Sequence, residues 1–158
     1  MNTSATMESK DHIIIQRVRD YVQKYSCVGG FHGIEHWDRV YGNGLLLAAS
    51  DANPLVVGLF AYLHDSCRDG DGEDLQHGPR AAVFIDEVRD VLLWDVGDEE
   101  IALLKEACRL HTTSQQTGNP TIDACFDADR LDLGRVGIIP DPDKMATDRG
   151  KALARVLL

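Results

Sequence analysis

The sequence predicts a single all-helical domain, a bundle of helices packed around one buried member. Three observations carry this expectation. Apolar residues recur at spacings of three and four along most of the chain, and strand-like alternation is scarce. One segment, from Pro54 to about Ser66, is apolar on nearly all sides, as a central helix must be. The length of 158 residues, 44% of them hydrophobic, suits one domain with a core that needs no disulfide support.

The elements follow in order. Residues 1–9 are small and polar and are expected to form a tail ahead of the domain at 10–158. A first helix is expected from about Lys10 to Ser26, with Ile14, Val18, Tyr21, Val22 and Tyr25 on one face, and Val28-Gly29-Gly30 ends it. A second runs from about Ile34 to Ser50, with Trp37, Val40, Tyr41, Gly44 and Ala48 inward. Asn53 is placed to cap the third helix and Pro54 to open it. The Asp- and Gly-rich stretch Arg68 to Gln76 reads as an exposed loop. A fourth helix, about Gly78 to Trp94, turns Ala81, Phe84, Ile85, Val88 and Leu92 inward. Asp98 is expected to cap a fifth, whose stripe is Ile101, Leu104, Cys108 and His111. A polar loop over Thr112 to Pro120 leads to a sixth helix at about Thr121 to Leu133. A last helix is expected from about Asp143 to Leu158.

Composition narrows the function. The net charge of −10 opposes non-specific binding to nucleic acid. No apolar run approaches the roughly 18 residues of a membrane span. The cysteines Cys27, Cys67, Cys108 and Cys125 form no CxxC pair, so reduced thiols in a cytoplasmic protein are expected. A small anionic substrate is compatible with the charge if a local cation dominates its site.

Several side chains do not belong in a core. Asp129 shares the buried face of the sixth helix with Ile122, Cys125, Phe126 and Leu133. A carboxylate there needs a metal or an ion pair, with Arg130 or Arg39 as the available partners. His64 and Asp65 end the apolar third helix, where the helix terminus carries partial negative charge that attracts a cation. His36 sits at the edge of the apolar arc of the second helix. His32, one turn earlier, is a cap or a substrate contact. Each feature alone has an ordinary structural explanation. Together they bring two imidazoles and two carboxylates to buried edges of three helices, a donor set suited to Mn²⁺, Fe²⁺, Co²⁺ or Mg²⁺.

The order H…HD…D resembles the HD-domain superfamily of metal-dependent phosphohydrolases. His36-Trp-Asp-Arg-Val40 is similar to its first motif, Phe60-Ala-Tyr-Leu-His64-Asp65 to its second, and Ala128-Asp129-Arg130-Leu131-Asp132 to its last. The resemblance covers about Phe31 to Gly137. It implies the family's helical bundle, metal ligands at His36, His64, Asp65 and Asp129, and hydrolysis of a small phosphorylated substrate, such as a nucleotide, by metal-activated water. Two-metal members add histidines between the HD pair and the last aspartate. His77 and His111 stand in those regions; otherwise they are a helix cap and a core histidine. The chain departs from some two-metal members at Ser66-Cys67-Arg68, where they have Gly-Lys. The double-histidine motif of cyclic-dinucleotide phosphodiesterases is absent.

Within that mechanism the catalytic candidates are Asp65, Arg68, Asp132 and His32. Arg68 or Arg80 would reach a phosphoryl group with the planar guanidinium fork, although a surface salt bridge is the ordinary role for Arg80. Asp132 or His32 would handle protons, with Glu35 and Asp69 as weaker choices, and the Arg68–Gln76 loop would serve as a lid. Two other classes remain open: a di-iron oxygenase on the same helical frame, and a non-catalytic metal-binding regulatory module.

Overall fold

The computed structural model describes residues 3–48 and 51–158. Among the described residues there are seven α-helices and no strand: α1 (Thr3–Tyr25), α2 (Ile34–Leu47), α3 (Pro54–Leu63), α4 (His77–Leu92), α5 (Asp98–Leu110), α6 (Pro120–Arg130) and α7 (Asp148–Val156). Short 3₁₀ turns occupy Gly30–His32, Leu133–Val136 and Pro142–Lys144. No described helix is long and apolar enough to cross a membrane.

Helix α3 is the hub, as its all-round apolarity predicts. Every residue from Leu55 to Leu63 is buried. Helices α1, α2, α5 and α6 pack on it, and α4 packs on α5. Asn53 Oδ1 accepts the amides of Leu55 and Val56 at 3.0 and 3.3 Å, and Pro54 opens the helix. The same device starts α6, where Asn119 Oδ1 accepts the amides of Thr121 and Ile122 and Pro120 follows. Two glycines set the approach distances. A Cβ on Gly44 would lie 2.7 Å from Val57 Cγ1, and one on Gly58 would lie 2.5 Å from Ile15 Cδ1. Their lack of a side chain lets α2 and α1 close onto α3.

Some boundaries differ from those expected. Helix α1 already runs from Thr3, because no Gly or Pro interrupts the segment ahead of Lys10; Met1 and Asn2 lie outside the described residues. Tyr25 is 60% exposed, since α1 ends there and its ring packs on Tyr21 and under Lys24 at the surface. Helix α2 stops at Leu47, and the expected end at Ser50 lies outside the described residues. The residue capping α5 is Gly97, whose amide is accepted by Glu100 Oε1, and Asp98 is the first helical residue, paired with Arg89. Helix α6 ends at Arg130, short of Leu133. The C-terminal segment is broken before α7 because Thr147 Oγ1 accepts the Gly150 amide and so sets a new helix start. All four cysteines are free thiols; Cys108 and Cys125 are buried, Cys67 is half-buried and Cys27 is exposed.

Candidate metal centre

Five helix ends meet at one buried point. His36 comes from the first turn of α2 and His64 caps the C-terminus of α3, with Asp65 next in the chain. His77 opens α4, His111 caps the C-terminus of α5, and Asp129 lies in the last turn of α6. All six were expected as metal ligands from the sequence, and the fold brings all six together.

They form two adjoining groups. In the first, His36 Nε2 lies 3.3 Å from Asp65 Oδ2, 3.2 Å from Asp129 Oδ1 and 3.3 Å from His64 Nε2. His64 Nε2 lies 3.5 Å from Asp65 Oδ2 and 3.4 Å from Asp129 Oδ1. In the second, Asp65 Oδ1 lies 2.9 Å from His77 Nε2 and 3.5 Å from His111 Nε2, and those two nitrogens are 2.9 Å apart. Asp65 thus gives one oxygen to each group. Donors about 2.1 Å from a shared ion lie roughly 3.0 Å apart at right angles and about 3.4 Å apart at the tetrahedral angle. The observed separations, 2.9 to 3.5 Å, lie within about 0.1 Å of that range.

The tautomers decide what these atoms are. His64 Nδ1 donates to the carbonyls of Phe60 and Ala61 at 2.9 and 3.0 Å. His111 Nδ1 donates to the Cys108 carbonyl at 2.7 Å, and His77 Nδ1 donates to the Asp74 carbonyl. His36 Nδ1 donates to Asp132 Oδ2 at 2.7 Å. A carbonyl or carboxylate oxygen only accepts, so each Nδ1 carries a proton, and the Nε2 that points inward offers a lone pair whenever the ring is neutral. Both groups therefore set imidazole lone pairs and carboxylate oxygens against one another. Asp129 Oδ1 is fully covered and has no hydrogen-bond donor of its own, although the rest of its side chain leaves 19% of its surface exposed. Such a set of acceptors is stable only around positive charge.

The titration behaviour has the same cause. Burial depresses the His36 imidazole, but the carboxylates of Asp129, Asp132 and Asp65 outweigh it and its pKa is pushed up to about 10. Burial raises Asp65 and Asp129, yet the charge of His64 and the other imidazoles close by hold both well below the ordinary carboxylate range. The cluster draws in a cation, whether a proton or a metal ion.

Packing fixes the rings. Phe60 stacks on His64 with centroids 4.6 Å apart and meets His111 edge-on at 5.7 Å. His64 and His111 use one device: each caps its helix and folds back onto a carbonyl of the last turn, which would otherwise lack a donor. At Gly78 an added Cβ would lie 2.4 Å from the Cys108 carbonyl oxygen and 3.3 Å from His111 Nδ1. Gly78→Ala is therefore expected to push α4 off α5 and part His77 from His111. The second group should lose its metal while the first keeps it, with a stability loss of about 1–3 kcal/mol; metal content per chain and thermal melting check this.

The other expected site residues fall in different places. Asp132 lies behind His36, on the side away from the cluster, and Arg39 Nε donates to its Oδ1 at 2.8 Å. Both its oxygens are engaged, so it orients His36 and does not face the centre as a proton donor would. Asp132→Asn should weaken metal binding by roughly 10- to 100-fold without removing any ligand, as read by chelator competition. His32 Nδ1 is buried without a hydrogen-bond partner, 3.6 Å from Asp65 Oδ2. Arg68 is not brought to the cluster; it folds onto its own loop and donates from Nη1 to the Gly72 carbonyl. Arg80 takes the structural role, donating to the Cys67 carbonyl and pairing with Asp74.

The loop expected as a lid is tied down. Asp74 accepts the amides of Asp69 and Gln76, and its own carbonyl holds His77. Arg80 pushes the Asp74 carboxyl down to about 2, so as pH falls this support persists until pH approaches that value.

Neither expected partner of Asp129 reaches it. Arg130 pairs with Asp127 and Arg39 with Asp132. The guanidinium that does approach is Arg135, with Nη2 3.7 Å from Asp129 Oδ1. Sequence reasoning missed it. No spacing in the sequence marked it, because it lies six residues beyond Asp129 in the 3₁₀ turn Leu133–Val136 that the positive-φ Gly137 closes.

No family model matches the chain, and neither does any curated protein or solved structure.

Proposed function

We propose that the protein is a metal-dependent phosphohydrolase of the HD type that acts on a small phosphorylated substrate. The observation that supports this best is the inward convergence of four Nε2 lone pairs with Asp65 and Asp129 on one buried point. His36, His64 and Asp65 would hold one divalent cation, with Asp129 beside both imidazoles as a fourth donor, and Asp65, His77 and His111 a second. A cation held there supplies Lewis acidity, lowering the pKa of a coordinated water towards neutrality and polarising a phosphoryl oxygen. The protein's part is to fix the donors. Asp132 and Arg39 orient His36, the carbonyls of the last turns orient His64 and His111, and Phe60 wedges both rings. Overall, water would add to phosphorus and give up a proton to solvent, the bond from phosphorus to the alcohol oxygen would break, and that oxygen would leave with its electron pair. His32, whose unpartnered Nδ1 lies 3.6 Å from Asp65 Oδ2, would give that oxygen its proton and take one back from solvent. Asp65, shared by both groups, fixes their relative position.

Elemental analysis of purified protein, followed by a panel of phosphoesters with each divalent ion, tests the reading. Bound metal and chelator-sensitive phosphate release are expected. Two irons per chain with a visible absorption band and no phosphate release would replace it with oxygenase chemistry. A chain that binds no divalent metal would reject both.

A further inference from the structure

Arg135 is a buried cation beside the cluster for which neither the candidate ligand set nor the core accounts. Its side chain is 8% exposed. Its guanidinium donates once, from Nη1 to the Asp132 carbonyl at 2.8 Å. Its Nε is buried without a partner. Arginine has five N–H donors, and one this deeply covered is ordinarily satisfied. Its Nη2 stands 3.7 Å from Asp129 Oδ1, beyond hydrogen-bond range. Asp129 is also a ligand for the first cation, so a guanidinium and a metal ion would flank one carboxylate. One carboxylate offsets only part of the charge of a divalent ion and a guanidinium, and the remaining positive charge in a poorly solvated site favours a further anion there.

Arg135 also opens in the other direction. It lines a cavity of about 590 Å³, a size suited to a small-molecule ligand, whose further walls include Phe31, Ile138, Ile139 and Pro140. The other cation there is Arg39, already committed to Asp132, and Glu35 adds a negative charge.

Resting on the hydrolase reading, we infer that Arg135 anchors the phosphoryl group of the substrate against the first cation position, and that this cavity receives the leaving group. The lining then defines the substrate class. Arg135 serves one phosphoryl group; a second would meet Glu35, and Arg39 beside it is already balanced by Asp132 and Glu35. The apolar walls favour an aromatic or otherwise planar, weakly polar body. The substrate is a phosphate monoester of such an alcohol, and not a polyphosphate.

Calorimetric binding to Mn²⁺-loaded full-length protein tests this without turnover. Inorganic phosphate should bind the wild type, and Arg135→Gln should weaken it by roughly 10- to 100-fold with metal content unchanged. Arg135→Lys, which keeps the charge but loses the fork, should fall between. Phenylphosphonate, which cannot be hydrolysed, should bind at least about tenfold more tightly than methylphosphonate. Ile138→Asp should erase that preference, and pyrophosphate should gain nothing over phosphate. Wild-type-like phosphate binding by Arg135→Gln overturns the anchor, as does loss of its metal, which would make Arg135 a support for Asp129. Equal binding of the two phosphonates overturns the leaving-group cavity, and this arm stands even if Arg135→Gln does not fold. Phosphate binding through Arg135 without hydrolysis of any ester would instead overturn the hydrolase reading and leave the anchor in place.

Discussion

Asp65→Ala is expected to abolish metal binding in both groups at once. Its Oδ2 belongs to the group with His36 and His64, and its Oδ1 to the group with His77 and His111. Four-ligand metal sites develop roughly 10–16 kcal/mol in total, so losing one ligand lowers affinity by about two to three orders of magnitude. Here one substitution imposes that loss twice. Elemental analysis should find neither ion, while far-ultraviolet circular dichroism shows an intact helical spectrum. By contrast, Asp129→Ala should cost only the first ion and His111→Ala only the second. An Asp65→Ala protein that kept a full complement of metal would refute the shared-carboxylate arrangement.

The largest loss of stability is expected at Asp127, two residues from the cluster yet outside it. Asp127 is fully buried. Its Oδ1 accepts the Ala146 amide at 2.8 Å, and its Oδ2 accepts the Thr147 amide and hydroxyl at 2.8 and 2.7 Å. Arg130 completes the set at 3.3 Å. Asp127→Ala strips partners from two amides, a hydroxyl and a guanidinium together, which costs about 3–5 kcal/mol. The melting temperature should fall by roughly 6–20 °C. A fall under about 2 °C would mean that the segment leading into α7 is held by something else. The two substitutions separate chemistry from architecture: one removes metal and spares the fold, the other loosens the fold and spares the ligands.

The candidate ligand set was legible in the sequence because its members violate the helical pattern that surrounds them. His64 and Asp65 end an otherwise apolar helix, and Asp129 shares a face with Phe126 and Cys125. Such exceptions show in one dimension. The role of Asp132 did not, because it depends on which side of His36 the segment after α6 falls. Arg135 was hidden for a related reason: it lies in a 3₁₀ turn, where helical spacing no longer says which way a side chain points. The helix boundaries that moved are those set by side-chain caps, as at Thr147, or by a backbone cap such as Gly97. The Asn119-Pro120 pair, by contrast, repeats the Asn53-Pro54 signal and was readable from it.

The first four donors are spread from His36 to Asp129, across most of the polypeptide. An ion shared among them cross-links distant stretches of chain in the folded state, and no equivalent site exists once the chain unfolds. Its binding free energy then adds to resistance against heat and denaturant. Chelator-treated protein should melt earlier than metal-replete protein, by a margin that widens with free metal concentration. Metal supply would thereby govern how long the molecule survives as well as what it does.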